Sequence, residues 1–411
     1  MHHYIWESPD WPNFRWTSDV LLKPLADVRK RQGRFLRTME ELGFEDGLIT
    51  YSVAVEEDAI QTAAIEGENL DREEVRSSVA VHLGLPAAGL RKADRAVDGL
   101  VEVLLDATSN YEKPFEKNRL YRWHTMLFPA GRSGFQDIVA GAWRAMPMQV
   151  VSGAYGRQKV HYEAPPPERL DDEMALFFTW CKDSRENTEG IIRAALAHLY
   201  FVAIHPFDDG NGRLARTITD MVLAQDEGLG RRYYSLSAQI MKERDTYYKL
   251  LEETQKGDGE CTGWLLWFIG CFDRALDEAE STLSAVLFKA AFWKLHAETM
   301  VNQRQRKVLN KLLDAGKGKF EGGLSTRKYM SMTKTSRATA WREIEDMLQK
   351  KMIRALPGGG RSTAYEITWG MGTAMAAVAR KNGITNEDVL ELEKAMDETR
   401  GKEPAKPLKF E

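Results

Sequence analysis

The sequence predicts a mainly α protein: a helical core carrying a β-hairpin flap, preceded by a helical extension and followed by a winged helix-turn-helix. Three observations carry that reading. Apolar residues recur at spacings of three and four from Val20 to about Asn110, and again from Leu170 to about Leu287. Between these stretches only two short runs look extended, Met148–Val151 and Lys159–Tyr162. Beyond Val301 the charge changes sign, with 15 Lys and Arg against 6 Asp and Glu up to Trp369. That segment carries +9 and leaves about −13 for the rest of a chain whose formal net charge is −4.

A length of 411 residues calls for more than one unit. The boundaries expected are an extension over 1–109, a core over 110–287, a winged-helix segment over 295–370, and short helices with a polar, Lys/Pro-containing disordered tail over 371–411. With 43% hydrophobic and 29% charged residues, the composition is that of an ordinary globular protein and selects no partner. Cys181, Cys261 and Cys271 have no CxxC or metal-type spacing and sit in apolar stretches, so buried free thiols in a reducing compartment are expected. The longest apolar runs, Met174–Cys181 and Trp264–Phe272, fall far short of the ~20 residues that span a bilayer. Glu7, Asp10 and two prolines interrupt the N-terminus where a signal peptide needs an apolar core. A cytoplasmic location without membrane partners is the expectation.

In chain order, Tyr4, Trp6, Trp11, Phe14 and Trp16 form an aromatic segment broken by Pro9 and Pro12. It reads as an irregular piece pinned by its rings. Thr17 or Ser18 caps the helix that follows, with Val20, Leu21, Leu22 and Leu25 on its apolar side. Gly84, Pro86 and Gly89 mark a break. SGAYGRQ between the two extended runs has hairpin-loop chemistry, and Pro165–Pro167 ends the hairpin. Helical spacing then resumes. In the basic segment Gly316, Gly318, Gly322 and Gly323 suggest a hinge. Leu324–Met330, a break at Ser331–Thr335 and Ser336–Lys350 read as helix-turn-helix, with Ser336 as N-cap and Ala340, Ile344 and Leu348 as the buried stripe. Leu356–Gly360 and a strand over Thr363–Thr368 suggest a wing.

The densest chemistry lies at 205–216, HPFDDGNGRLAR. Gly210-Asn211-Gly212 permits backbone conformations that turn successive amides inward as an anion nest. The apolar period of Leu214, Ile218, Met221 and Val222 places a helix N-terminus directly behind it. Arg213 and Arg216, three apart, share one helix face and can fork onto phosphate oxygens. Asp209 is a hard carboxylate suited to Mg²⁺. His205 is the one group in the loop able to accept a proton near neutrality. Phe207 should anchor the loop. A glycine-rich cap beside a structural histidine is the bland alternative, but it leaves two arginines and a nest converging on nothing. No GxxxxGK[ST] occurs, so this is not a P-loop.

The stretch resembles in full the Fic (filamentation-induced-by-cAMP) signature HPFx[DE]GNGRxxR, and by that resemblance the family's helical core covers about 110–277. The resemblance implies transfer of AMP from ATP to a Ser, Thr or Tyr hydroxyl of a protein, with release of pyrophosphate. It implies His205 as the base, Asp209 as the Mg²⁺ ligand and the amides of Gly210, Asn211 and Gly212 around the α-phosphate. Arg213 would meet the β-phosphate and Arg216 the γ-phosphate. The flap, with Val150, Val151, Val160 and His161, would pair with an extended segment of the target. Self-modification is expected with it.

Thr62-Ala63-Ala64-Ile65-Glu66-Gly67 resembles the same family's inhibitory motif, [ST]xxxE[GN], in the class that carries its own inhibitory helix. Thr62 and Glu66 share a helix face, and Gly67 suits a helix end. Glu66 is therefore expected to pair with Arg216 and misorient ATP. In some relatives such a glutamate instead positions water to remove AMP. The aromatic segment resembles an extension found before some bacterial cores of this family, where it would fix the inhibitory helix or support a homodimer. Tyr233, Tyr234, Tyr247 and Tyr248 are either core residues or part of an adenine pocket. Arg327, Lys328, Lys334, Arg337 and Arg342 would meet DNA phosphates or serve a protein-docking face.

The reading is thus an autoinhibited protein adenylyltransferase using ATP and Mg²⁺. One alternative is an enzyme of the same fold that removes AMP or transfers another phosphate-linked group. A nucleotide-sensing, DNA-binding winged-helix regulator is the alternative of a different class.

Overall fold

A computed structural model of the chain describes residues 4–42, 44–86, 89–134, 136–152, 159–316, 320–356 and 363–368. The expected hairpin tip at 153–158, Gly318, residues 357–360 of the glycine cluster and the 371–411 tail lie outside them. The described residues are mainly helical. Helices α1 (Ser18–Glu41), α2 (Phe44–Ile65), α3 (Arg72–His82) and α4 (Arg95–Ser109) come first, followed by α5 (Lys117–Leu127). Two small antiparallel pairs follow, β1 (Arg132–Ser133) with β2 (Gln136–Asp137), and β3 (Gln149–Ser152) with β4 (Lys159–Glu163). Then come α6 (Leu170–Asp183), α7 (Gly190–Ile204), α8 (Asn211–Glu227), α9 (Leu236–Lys242), α10 (Arg244–Gln255) and α11 (Thr262–Leu295). The last elements are α12 (Gln303–Ala315), α13 (Thr326–Thr333), α14 (Arg337–Gln349), β5 (Ile353–Ala355) and β6 (Tyr365–Ile367). No helix among the described residues is long and apolar enough to cross a membrane.

The chain divides into two compact units, Met1–Leu36 with Tyr51–Ala279, and Arg37–Thr50 with Glu280–Glu411. In the first, α7 is the central rod. Its sequence IIRAALAHLYFVAI is apolar all round, and every residue is buried, as expected of a helix surrounded on all sides. Helix α8 runs beside it and packs against α4, so the turn between α7 and α8 is gripped at both ends. All three cysteines are free and buried. The packing partners of the aromatic segment come from distant parts of the chain. Tyr4 and Ile5 cluster with Tyr162 of β4 and Ala203 of α7, and the indole of Trp6 donates to the carbonyl of Glu163 at 2.8 Å.

The second unit has its own core, in which Phe288 and Phe292 of α11 meet Leu309 and Leu312 of α12, Tyr329 of α13, Ile344 and Met347 of α14, and Ile353. Three sequence expectations change here. Helix α11 continues to Leu295 rather than ending near Leu287. Leu324 is not helical: it exchanges backbone hydrogen bonds with Tyr365 at 2.7 and 2.8 Å, so α13 starts after Ser325, whose hydroxyl accepts from the Lys328 amide. On α14 Met347 is fully buried, whereas Leu348 is only half-buried, so the stripe turns by one residue. Strands β5 and β6 pair antiparallel with Ile353 opposite Ile367.

Candidate active site

Helix α7 ends because Pro206 brings no N–H to continue it. His205 takes a left-handed conformation, φ 51° and ψ 58°, and its amide closes the last turn onto Phe201 at 3.0 Å. A non-glycine residue there is held against an intrinsic cost, and the chain supplies the restraint. Arg144, 2% exposed, donates its Nε to the His205 carbonyl at 2.8 Å and its other nitrogens to the carbonyls of Met146 and Pro165. Its backbone amide binds the Pro206 carbonyl at 2.9 Å.

The His205 ring is set by its surroundings. Nδ1 lies 3.2 Å from the Val202 carbonyl, which only accepts, so Nδ1 carries the proton and Nε2 keeps its lone pair. Burial, reinforced by the nearby Arg144 guanidinium, pushes the imidazole down to about 4. It is therefore a neutral base across the physiological range.

The loop behind it is locked from within. The Asn211 side chain accepts from the Phe207 amide at 3.0 Å and donates to the Phe207 carbonyl at 2.8 Å. Phe207 is fully buried and stacks on His124 with centroids 4.0 Å apart and planes 9° apart. His124 in turn receives the Gly141 amide on Nδ1 at 2.9 Å and donates from Nε2 to the Asp209 carbonyl at 3.1 Å. Burial holds its ring neutral, down to about 4. Gly210 has φ 81°, and a Cβ there would stand 2.7 Å from the Phe128 ring, so only glycine fits. Gly210 caps α8, which leaves the amides of Asn211, Gly212 and Arg213 without helical partners. They form the nest. The Gly210 amide, which the sequence reading also assigned to the nest, instead donates to Oδ1 of Asp209.

Both arginines lie on one buried face of α8. Arg216, 2% exposed, donates Nε to Thr62 Oγ1 at 2.7 Å and Nη2 to the Thr62 carbonyl at 2.9 Å and to Glu66 Oε1 at 2.7 Å. Arg213 lies over the Phe128 ring and donates Nη1 to Glu68 Oε2 at 3.0 Å. Its Nη2 is 4.0 Å from Asp209 Oδ2. Arg213 Nε and Arg216 Nη1 are buried without hydrogen-bond partners. Asp209 also receives the Ser133 hydroxyl.

The two acids arrive together because α2 ends in a Schellman turn. Gly67, at φ 84°, sends its amide to Ala64 O, and Glu68 sends its amide to Ala63 O, both at 3.0 Å. Glu66 and Glu68 flank that glycine and both reach α8. Arg244 Nε and the Tyr248 hydroxyl bind the Ile65 carbonyl at 2.9 and 3.3 Å and close the helix end. A Cβ on Gly212 would stand 2.2 Å from Glu66 Oε1, so this carboxylate lies against the first turn of α8, where the helix dipole favours negative charge.

The structure thus brings His205, Asp209, Gly210, Asn211, Gly212, Arg213, Arg216, Thr62 and Glu66 together. Sequence reasoning missed Arg144, His124, Ser133 and Glu68. Of the flap residues, Val150, Val151 and Val160 are 37–39% exposed, whereas His161 turns to α10 and lies 2.6 Å from Glu252. Tyr234 and Tyr247 are core residues, the latter bonded to His198 at 2.9 Å; Tyr248 borders the α2 end.

Comparison with known proteins agrees with this geometry. Residues 114–223 match the Fic/DOC family, and residues 4–85 match a family described as a domain of unknown function, DUF4172. A uridine 5'-monophosphate transferase of Xanthomonas campestris is 35% identical over 124 residues, 28% of this chain and 22% of that protein. A protein adenylyltransferase of Nematostella vectensis is 33% identical over 115 residues, 28% of this chain and 25% of that protein. The chain therefore spans about a quarter of the length of these relatives. Among solved structures, a Fic family protein of Desulfovibrio desulfuricans superposes with TM-score 0.48 at 19% identity, covering 85% of this chain and 96% of that one. On the motif, its geometry and the family match together, the chain carries a Fic/DOC domain over residues 114–223.

Proposed function

We propose that this site transfers AMP from ATP to a hydroxyl side chain of a protein and that the end of α2 holds it inactive. The observation that supports both halves is the Glu66 carboxylate, 2.7 Å from Arg216 and set against the first turn of α8: the grip is built for an anion and an internal one occupies it. In the reaction the acceptor oxygen attacks the α-phosphorus and the bond to the β-phosphate oxygen breaks. Pyrophosphate leaves, and the hydroxyl proton passes to Nε2 of His205. The α8 amides face the charge that grows on the α-phosphate, and Arg213 and Arg216 meet the leaving phosphates.

No group of three or more His, Cys, Asp or Glu able to hold a metal occurs among the described residues. A Mg²⁺ that draws its other ligands from water and phosphates needs only one or two carboxylates, and Asp209, at the open side of the loop, fits that demand. When bound, the ion would neutralise phosphate charge.

Inhibition in this account has two contacts. Glu66 occupies Arg216, and Glu68 engages Arg213, so both phosphate-binding arginines are held by acids two residues apart. The test is covalent labelling: Glu66→Gly should incorporate α-labelled ATP into itself well above the wild-type rate, and His205→Ala should abolish it. Equal labelling of all three would end the reading. The similarity to a uridine 5'-monophosphate transferase favours one second reading, UMP transfer from UTP. Intact mass of the adduct separates the two.

A further inference from the structure

We propose that the exposed side of α13 and α14 is a binding face for double-stranded nucleic acid, a function separate from the nucleotide chemistry above. Helices α13 and α14 are joined by only Lys334, Thr335 and Ser336, the short connection of a helix-turn-helix. Ala340, Ile344 and Met347 fix the inner side of α14 in its own core. Ala338, Trp341 and Arg342 fall on the other side of the helix with Arg337 at its flank, and all four residues are exposed. Ser336 caps the helix, its hydroxyl accepting from the Thr339 amide. The first two turns thus present a helix N-terminus with Arg337 and Arg342 on either side of Trp341.

The distribution of ion pairs selects the partner. In this segment the acids Glu343, Asp346 and Glu366 are taken by Arg304, Lys350 and Arg354. Arg327, Lys334, Arg337 and Arg342 have no carboxylate partner among the described residues, and all four are exposed. Glu345, one turn farther along α14, marks the edge of this positive face. Trp341, 57% exposed, stands in its middle. An exposed tryptophan also suits a protein partner, but the cores of protein interfaces are depleted in charge, and four uncompensated cations would have to be desolvated there. A polyphosphate surface takes all four. A helix entering a major groove by its N-terminal turn places Arg337, Trp341 and Arg342 near base edges and thymine methyls, with Arg327 and Lys334 at the backbone.

The test uses the full-length protein, a fluorescent mixed-sequence DNA duplex of several helical turns, and anisotropy across a salt series. Wild type should bind with log K falling by roughly 3 to 4 per tenfold rise in salt, the slope for about four neutralised phosphates. Arg337→Ala with Arg342→Ala should weaken binding about tenfold or more and flatten that slope by about 2. Trp341→Ala should weaken it with the slope unchanged. These side chains are exposed, and an unaltered melting temperature shows each variant folded. His205→Ala should bind as wild type does, which keeps this result independent of the catalytic reading. The proposal is overturned by absence of binding at low salt, or by binding that the arginine pair does not change. It is equally overturned if Trp341→Ala alters self-association of the protein while duplex binding stays the same.

Discussion

Replacing Glu66 by glycine removes one of the three bonds that hold Arg216 and leaves the other two, from Thr62 Oγ1 and the Thr62 carbonyl, in place. The guanidinium therefore stays oriented while the position over Gly212 is vacated. The magnitude follows from burial. Arg216 is 2% exposed in its side chain and Glu66 30%. Removing one partner of a fully buried pair costs about 3–5 kcal/mol. An exposed pair is worth about 0–1 kcal/mol, and this half-open contact falls between, at about 2 kcal/mol. If that contact must break before a γ-phosphate takes Arg216, its loss accelerates transfer about 30-fold. The assay is the initial rate of α-label incorporation at saturating ATP, with circular dichroism confirming equal folded fractions. Glu66→Gln, which keeps an oxygen but no charge, should fall between wild type and Glu66→Gly. Adding Glu68→Ala removes an ion pair that is open to solvent on its acid side and should contribute a further factor of about 2 to 5. The reasoning is refuted if Glu66→Gly labels within about twofold of wild type while Arg216→Ala and His205→Ala are silent, because the grip would then be catalytic and not occluded.

Four other expectations follow from the same geometry. With His205 held down at about 4 by burial, the acid limb of the Glu66→Gly rate profile should fall near that value; a midpoint near 6.5 would place the base elsewhere. The same depression links to stability: His124, His205 and the core histidine His198, lowered to about 3, bind protons in the unfolded chain before the folded one. Thermal stability should therefore be full above about 6.5 and decline as pH falls toward 4, and His198→Gln should flatten that decline. His124→Ala removes both the Phe207 stack and the bond to the Asp209 carbonyl; single-turnover transfer should drop about 10- to 100-fold, and the cavity left by this fully buried ring should lower the melting temperature as well. Gly67→Ala forces a side chain into φ 84° at an expected cost of about 1–2 kcal/mol and loosens both acids at once, so it should lower the melting temperature while raising self-labelling.

What could be read from the sequence was local. The nest, the two arginines and His205 lie within twelve residues, so their spacing alone defines a common anion site. Thr62 and Glu66 were legible as one face of α2 because helical spacing holds up to the cap. Glu68 was missed because its contact depends on the chain reversing at Gly67, and periodicity ends there. Arg144 and His124 lie 61 and 85 residues before the backbone atoms they bind, and nothing around either marks it as a brace. Leu324 read as helical because an isolated bridge to Tyr365 has no period to detect. The aromatic N-terminus announced packing, and its partner β4 became evident only when the chain was folded.

The most direct measurement is the position of the label. Glu66→Gly protein, alone and combined with His205→Ala, is incubated with ATP labelled at the α- or the γ-phosphate and then denatured. Transfer of AMP by His205 requires covalent α-label on Glu66→Gly, no γ-label, and neither on the double variant. Retention of γ-label, or α-label that survives loss of His205, would contradict transfer of AMP by this loop.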